Sequence, residues 1–152
     1  MDLPRRGHFR RAGVQPRRWL REVRVADASQ YQVGQELTVD VFKEVQRVDV
    51  VGFSKGRGFQ GGVKRHGFHT GPKSHGCRNY RAPGSVGQHS FPGRVFKGLR
   101  MPGRYGNTRV TVRNLRIQQV DAEHHLLLVG GAVPGAPNAL VLVRAVDRSG
   151  GA

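Results

Sequence analysis

Hydrophobic and polar residues alternate in two short runs in the first third of the chain, and each run predicts a β-strand. Residues 37–41 place Leu37 and Val41 on one face, between polar neighbours, as in a half-buried strand. Residues 45–51 form the second run, with Val48 and Val50 sharing a face. The apolar periodicity then stops, so we expect the regular sheet to be interrupted after residue 51.

Alternation returns in the last third of the chain. Along Arg109–Val120, Val110 and Val112 share one face, and an irregularity is expected at Asn114 because the pattern changes phase there. A hairpin turn is predicted at residues 121–125. Two β-rich runs follow at residues 126–133 and 140–146, and a Pro/Gly turn at residues 134–138 separates them.

Residues 52–108, between the two sets of strands, have the composition of a long loop. They contain 14 Gly, 4 Pro, 11 Lys or Arg and 4 His. Such a stretch cannot bury enough apolar surface to offset the entropy of ordering it. Only one helical turn, around residues 60–66, is predicted. A loop this long inside a compact domain is expected to be functional or ordered by a partner.

Strands, a long insertion and further strands predict a mostly β fold, with a small antiparallel β-barrel and an extended loop. We expect residues 25–51 and 109–147 to form the barrel core, with residues 52–108 inserted in it. Residues 1–24, rich in Arg, Pro and Gly, predict a basic arm without regular structure. Residues 148–152 are expected to form a flexible tail.

Charge is distributed unevenly over this layout. The formal net charge is +16 and the pI is about 11.6. Residues 50–120 hold fourteen Lys and Arg and no Asp or Glu, whereas residues 25–49 are net acidic. A compact domain repels itself at that density unless a polyanion neutralises it. This pattern favours nucleic acid as the partner over an anionic membrane surface.

Several classes of protein are excluded or disfavoured. The longest apolar runs, such as residues 126–129, are far shorter than the roughly 18 residues that span a bilayer. No hydrophobic stretch follows the basic N-terminus, so a secretory signal is not expected. Cys77 is the only cysteine, which excludes a disulfide framework and a zinc ribbon built on cysteines.

Two short motifs resemble enzyme signatures. Residues 56–61 spell G-x-G-x-x-G, but a glycine pair weakens the helix that a dinucleotide site needs, and no acidic residue follows until Asp121. Residues 52–56 spell G-x-S-x-G around Ser54, with Asp121 and either His124 or His125 later in the order of an α/β-hydrolase. The helix after the serine and the alternating βα pattern are not predicted, so we expect no catalytic residue and no cofactor.

A third cluster contains residues that bind metals. His66, His69, His75 and Cys77 could supply zinc ligands. The alternative is that these histidines stack on nucleic acid or hydrogen-bond to it. Neighbouring basic side chains such as Arg65 would repel a metal ion, so no metal site is expected.

The basic stretch is the most informative chemical feature. Seven of the eleven aromatic residues fall within residues 52–108, interleaved with the bases. Lys and Arg neutralise phosphates, and Arg can bind two phosphate oxygens at once. Aromatic rings stack on unpaired bases, and glycine lets the backbone approach a crowded RNA surface. Because disordered polybasic linkers are usually poor in aromatics, RNA binding is favoured over a solvated linker.

Longer strings point to a particular family. GHFRRAGV (7–14), LREVRV (20–25), VDVVGFSKGRGFQGGVKRHGF (48–68), GPKSHG (71–76), RAPGSVGQ (81–88), PGRVFKGLRMPGRYG (92–106) and VTVRNLRIQQVDAEHHLLLVGGAVPG (110–135) closely resemble bacterial-type ribosomal protein L3 of the large subunit. The resemblance covers nearly the whole chain in collinear order.

The resemblance implies a six-stranded β-barrel of the translation-protein type, with a loop that reaches toward the peptidyl-transferase centre. It also implies direct, early binding to large-subunit rRNA near the 3′ end, and neighbours from the ribosomal protein families L-fourteen and L-nineteen. No catalysis, small-molecule substrate or membrane is implied. The expected location is the ribosome of the bacterial cytoplasm, with an organellar ribosome as the alternative. A generic nucleic-acid-binding or RNA-chaperone module outside the ribosome is the alternative function.

Expected rRNA-binding residues follow from matching positions. Lys55, Arg57, Lys64 and Arg65 match the base of the family's loop, and the segment from Arg81 to Arg104 matches the part that penetrates the rRNA. The full expected set is Arg10, Arg11, Lys55, Arg57, Lys64, Arg65, His66, Lys73, His75, Arg78, Arg81, Gln88, His89, Arg94, Lys97, Arg100 and Arg104.

The sequence departs from the family pattern in two ways. Family members usually have further N-terminal residues that supply the first barrel strands, so the barrel is expected to be incomplete at the N-terminus, with an unpaired edge. Some bacterial members carry a modified glutamine two residues before the Pro-Gly of the loop. Ser90 occupies that position here, so this modification is not expected.

Overall fold

The computed structural model describes residues 3–146, and these residues are mostly β. The elements are α1 (Leu3–Arg11), a 3-10 helix (Val39–Phe42), β1 (Arg47–Phe53), β2 (Gly58–Gln60), α2 (Gly62–His66), β3 (Gly103–Tyr105), β4 (Arg109–Asp121), β5 (Leu126–Gly130) and β6 (Leu142–Ala145). The predicted tail, residues 148–152, lies outside the described residues. No helix among residues 3–146 has the length and apolar character to cross a membrane.

Strand β1 is the centre of the larger sheet, which has the order β5-β4-β1-β6. It pairs antiparallel with β4 on one side and with β6 on the other. The valines of β1 form the core of this sheet: Val48, Val50 and Val51 are at most 4 % exposed. The predicted strands at residues 45–51, 109–120, 126–133 and 140–146 are thereby confirmed, with small shifts at their ends.

A β-bulge interrupts β4 at the predicted irregularity. The pairing shifts between Val48, opposite Leu115, and Val50, opposite Val112. Asn114 adopts a left-handed backbone (φ 60°), and its N–H donates to the Asp49 carboxylate over 2.8 Å. A bulge of this kind leaves a backbone donor without a ladder partner, and the carboxylate satisfies it.

The sheet is open in the described residues. Its order leaves β5 and β6 as edge strands, and the second sheet contains only β2 and β3. The predicted barrel therefore stays a prediction. The described residues separate into two compact units, one formed by residues 3–44 with Val120–Leu127, and the other by Val45–Gln119 with residues 128–146.

In the first unit, the predicted strand at residues 37–41 is wrong. The chain forms the 3-10 helix there, and Leu37 and Val41 are exposed. Local hydrogen bonds explain the difference: the Thr38 hydroxyl donates to the Asp40 carboxylate over 2.8 Å, and Lys43 forms an ion pair with the same carboxylate at 2.8 Å. Such side-chain bonds compete with strand pairing. Lys43 and Thr38 together lower the pKa of Asp40.

The expectation of an arm without regular structure is also wrong for its first part, because Leu3–Arg11 is helical. Pro4 lies in the first turn, where its missing N–H has no cost, and His8, Arg10 and Arg11 lie in the last turn, where positive charge stabilises the helix dipole. Phe9, the buried residue of this helix, is 4 % exposed.

The predicted hairpin turn at residues 121–125 is confirmed, with Asp121 accepting the His124 N–H at 3.1 Å.

The core valines generate a first prediction. Val50→Ala should lower the free energy of unfolding by about 2 kcal/mol, because two buried methyl groups are lost and a cavity remains. Val33→Ala is the matched control, since Val33 is 82 % exposed. Urea unfolding followed by circular dichroism measures both variants. Equal stability of the two would contradict a core centred on β1.

Candidate nucleic-acid interface

The loop begins where β1 and β4 stop pairing, and backbone bonds close its base. The Ser54 N–H donates to the Thr108 carbonyl over 2.9 Å, and the Asn107 N–H donates to the Ser54 carbonyl over 3.1 Å. These bonds continue the antiparallel pairing that ends at Phe53 and Arg109. The two arms of the loop therefore leave the sheet side by side.

Strands β2 and β3 extend this pairing into the loop. Gly58 is opposite Tyr105 and Gln60 is opposite Gly103. The Arg57 N–H donates to the Tyr105 carbonyl over 2.9 Å, and the Arg57 guanidinium lies 5.1 Å from the centre of the Tyr105 ring. This pair of strands could not be predicted from the sequence, because three-residue strands that contain glycine show no alternation.

Helix α2 follows β2 directly and confirms the predicted helical turn. Gly67 ends it in the left-handed conformation (φ 71°), and its N–H donates to the Val63 carbonyl over 3.0 Å. Lys64, Arg65 and His66 form the last turn, where basic side chains stabilise a helix C-terminus.

Two of these basic residues bind the returning arm of the loop. The Arg65 guanidinium donates to the Met101 carbonyl over 2.7 Å, and Nε2 of His66 lies 2.9 Å from the same oxygen. Both side chains are half-buried, whereas Lys64 is exposed. Met101 could not be recognised from the sequence, because a backbone carbonyl acceptor has no residue signature.

Beyond this point, residues 69–100 form few bonds with the rest of the loop. The Gly71 N–H donates to the Tyr80 carbonyl over 3.0 Å, which closes a smaller loop, and His89 Nδ1 lies 2.9 Å from the Ser90 hydroxyl. The expected rRNA-binding side chains in this segment are all exposed: Lys73, His75, Arg78, Arg81, Gln88, His89, Arg94, Lys97 and Arg100.

The electrostatics of the loop are uniform. Of its eleven Lys and Arg side chains, ten are exposed and only Arg65 is half-buried. The ion pairs found among residues 3–146 join Arg17 to Glu36 and Lys43 to Asp40, and His124 is hydrogen-bonded to Asp121, so none involves a basic residue of the loop. Arg10 and Arg11 lie on α1, in the first unit, and are also exposed. The positive charge of the loop is therefore available to an external anion.

Aromatic rings are exposed along the same surface. Phe91 is 84 % exposed and Phe59 is 72 % exposed, with Tyr80 and Phe96 about half exposed. The Arg94 guanidinium lies 5.7 Å from the centre of the Phe96 ring. Soluble domains bury such rings unless a partner covers them, and unpaired bases are partners that stack on them.

The enzyme and metal motifs do not form sites in the structure. The Ser54 hydroxyl lies 3.3 Å from the Thr108 hydroxyl, and strand β2 rather than a helix follows it, so no nucleophile elbow is present. The same strand occupies the place of the helix that G-x-G-x-x-G requires. In the part of the chain that the structure describes, no three His, Cys, Asp or Glu side chains are grouped as metal ligands would be.

The chain is similar in sequence to known ribosomal proteins. Residues 20–125 match the model of the family described as "Ribosomal protein L3". The chain is 55 % identical over 151 residues to the large ribosomal subunit protein uL3 of Corynebacterium jeikeium, covering 99 % of this chain and 69 % of that protein. It is 57 % identical to uL3 of Acidothermus cellulolyticus over all of this chain and 71 % of that protein. It is 48 % identical to uL3 of Pseudothermotoga lettingae, over 98 % of this chain and 72 % of that protein.

Gly106 provides a test of the loop base. Its φ is +75°, and a Cβ there would collide with the Lys55 carbonyl and lie 3.1 Å from the Arg57 nitrogen. Gly106→Ala should therefore break the bonds at the loop base, and the Arg57 and Asn107 amides should exchange with solvent at least about tenfold faster. In Gly61→Ala, the control, the new Cβ has no atom within 4 Å, and exchange should not change. Unchanged exchange in Gly106→Ala would refute this geometry.

Proposed function

The chain belongs to the ribosomal protein L3 family, and we propose that it binds large-subunit rRNA directly near the 3′ end, acts early in subunit assembly and extends residues 52–108 toward the peptidyl-transferase centre. Membership makes the chain a structural protein of the large ribosomal subunit and not an enzyme. Its bacterial relatives point to the ribosome of the bacterial cytoplasm as its location.

One observation supports rRNA binding above all others: ten exposed Lys and Arg side chains lie on a loop without a single carboxylate. In a free chain these charges repel one another. Phosphates remove the repulsion and release counterions, which makes binding favourable and dependent on salt. The exposed rings add stacking on unpaired bases, which a simple polycation does not provide.

In the proposed mechanism, the Lys and Arg side chains neutralise phosphates, so that rRNA strands can pack closely. The loop, ordered on the RNA, then supports the tertiary structure of the rRNA. The phosphate-binding groups are the exposed Lys and Arg members of the expected set, among them Arg10, Arg11, Arg57 and Arg104. His75, Gln88 and His89 hydrogen-bond to sugars or bases. Peptide-bond chemistry belongs to the RNA, and the loop supports its shape.

We further propose that β1, β4, β5 and β6 belong to the family's translation-type barrel, with the loop inserted between β1 and β4. The antiparallel pairing of β1 with β4, which brings the ends of the loop together, supports this division. Neighbouring proteins of the L-fourteen and L-nineteen families would contact the barrel on the outside of the subunit.

Competition binding across salt concentrations tests the proposal. The chain should prefer a transcript of the 3′-terminal large-subunit rRNA domain over a structured RNA of equal length, by at least about a hundredfold at moderate salt. With about 10 phosphates contacted, the logarithm of the binding constant should fall with a slope of about −7 to −9 against the logarithm of salt. Equal binding to both RNAs would favour the generic nucleic-acid-binding or RNA-chaperone alternative.

The loop charges provide a second test. Replacing Arg94, Lys97, Arg100 and Arg104 with Ala should strongly reduce incorporation into large subunits, with little change in thermal stability, because all four side chains are exposed. A control with Arg5, Arg6, Arg21 and Arg24 replaced by Ala removes the same charge from residues 1–24 and should be incorporated normally. Sedimentation of ribosomes from cells expressing tagged variants measures incorporation. Normal incorporation of the loop variant would count against the proposal.

A further inference from the structure

We propose that Arg65 and His66 are positioning residues that fix the direction of the loop, and that within the sequence Lys64-Arg65-His66 only Lys64 binds phosphate. The inference deepens the proposed function, on which it rests, and revises the expectation that all three residues bind rRNA. The inference is based on the Met101 carbonyl, which lies within hydrogen-bond distance of both the Arg65 and the His66 side chains.

The two bonds join distant parts of the loop. Arg65 and His66 belong to the outgoing arm, directly after β2, whereas Met101 lies two residues before β3 on the returning arm. A carbonyl oxygen has two lone pairs and can accept both donors, and the guanidinium bond is strengthened by its charge. We name this arrangement the Met101 clamp. It holds the two arms together at the last point before the loop diverges.

Burial separates the three consecutive basic residues. Arg65 and His66 are half-buried, and Lys64 is exposed. The His66 ring also lies 5.6 Å from the Phe68 ring, and the Phe68 N–H returns to the Gly62 carbonyl at 3.4 Å. Helix α2 and Phe68 therefore form a small folded unit that orients the His66 side chain toward Met101.

The choice of acceptor follows from charge. No carboxylate occurs between Asp49 and Asp121, so a basic side chain that the loop itself must hold has only neutral acceptors nearby. A backbone carbonyl holds Arg65 without lowering the positive charge that the loop presents to an anion. A carboxylate in the same place would cancel one of those charges.

Glycine at position 103 makes room for the clamp. A Cβ at Gly103 would lie 2.6 Å from Nη1 of Arg65, the atom that donates to Met101. Alanine at this position would force the guanidinium away from the carbonyl while leaving Arg65 and its charge in the protein. Gly103→Ala therefore separates the clamp from the charge.

Hydrogen exchange of the full chain without RNA tests the clamp. Arg65→Ala, His66→Ala and Gly103→Ala should each make the amides of β3 exchange about tenfold faster. His66→Gln keeps a donor and should restore protection relative to His66→Ala. Lys64→Ala is the matched control and should leave the exchange unchanged. Unchanged exchange in Arg65→Ala and His66→Ala, or failure of His66→Gln to restore protection, would overturn the clamp.

Binding to the 3′-domain transcript across salt separates positioning from phosphate contact. The clamp variants, including Arg65→Ala, should bind about five- to tenfold more weakly with an unchanged salt slope, and Lys64→Ala should reduce the slope by about 1. A slope reduced by about 1 in Arg65→Ala would identify a phosphate contact and overturn the assignment. If the unaltered chain shows no transcript preference, the proposed function fails, and the exchange result still decides whether the clamp exists.

Discussion

The pairing of β1 with β4 is the constraint on which the rest of the structure depends. None of residues 54–108 is buried, so the loop forms no core that could bring its own ends together. The ladder that ends at Phe53 and Arg109 does this for them, and the buried valines of β1 stabilise that ladder. Once the ends are fixed, the remaining entropy of closing the loop grows only slowly with its length.

Order in the loop decreases with distance from this ladder. Next to the sheet the arms are joined by backbone bonds at Ser54 and Asn107, then by β2 and β3, and last by side-chain bonds to Met101. In residues 69–100, farther from the sheet, the hydrogen bonds are local, and the basic and aromatic side chains are exposed. For the proposed binding to rRNA, such a gradient would hold the base of the loop in place and leave its exposed surface to the partner.

The parts of the fold that alternate over several residues could be predicted from the sequence. These are β1, β4 with its irregularity at Asn114, β5 and β6, together with the helical turn at α2. The 3-10 helix at Val39–Phe42 was mistaken for a strand because its apolar spacing is the same and the deciding bonds of Asp40 are local. At the site, composition identified the loop and its charge. It could not show that Arg65 and His66 bind a backbone carbonyl, since that depends on a partner 35 or 36 residues away.

The bulge at Asn114 has a consequence for how β4 tolerates changes in length. Before it the even-numbered Val112 is half-buried, and after it the odd-numbered Leu115 and Ile117 are half-buried. The one extra residue at the bulge thus changes which positions of β4 are half-buried, from an even-numbered residue before it to these odd-numbered residues after it. Deleting Asn114 would remove the extra residue, so Val112, Leu115 and Ile117 would stay on one face in regular alternation, and the Asp49 carboxylate would lose the amide that it accepts. A one-residue deletion elsewhere in β4 would turn the residues between it and the bulge to the opposite face. The bulge is therefore the position in β4 where a deletion is expected to be tolerated best.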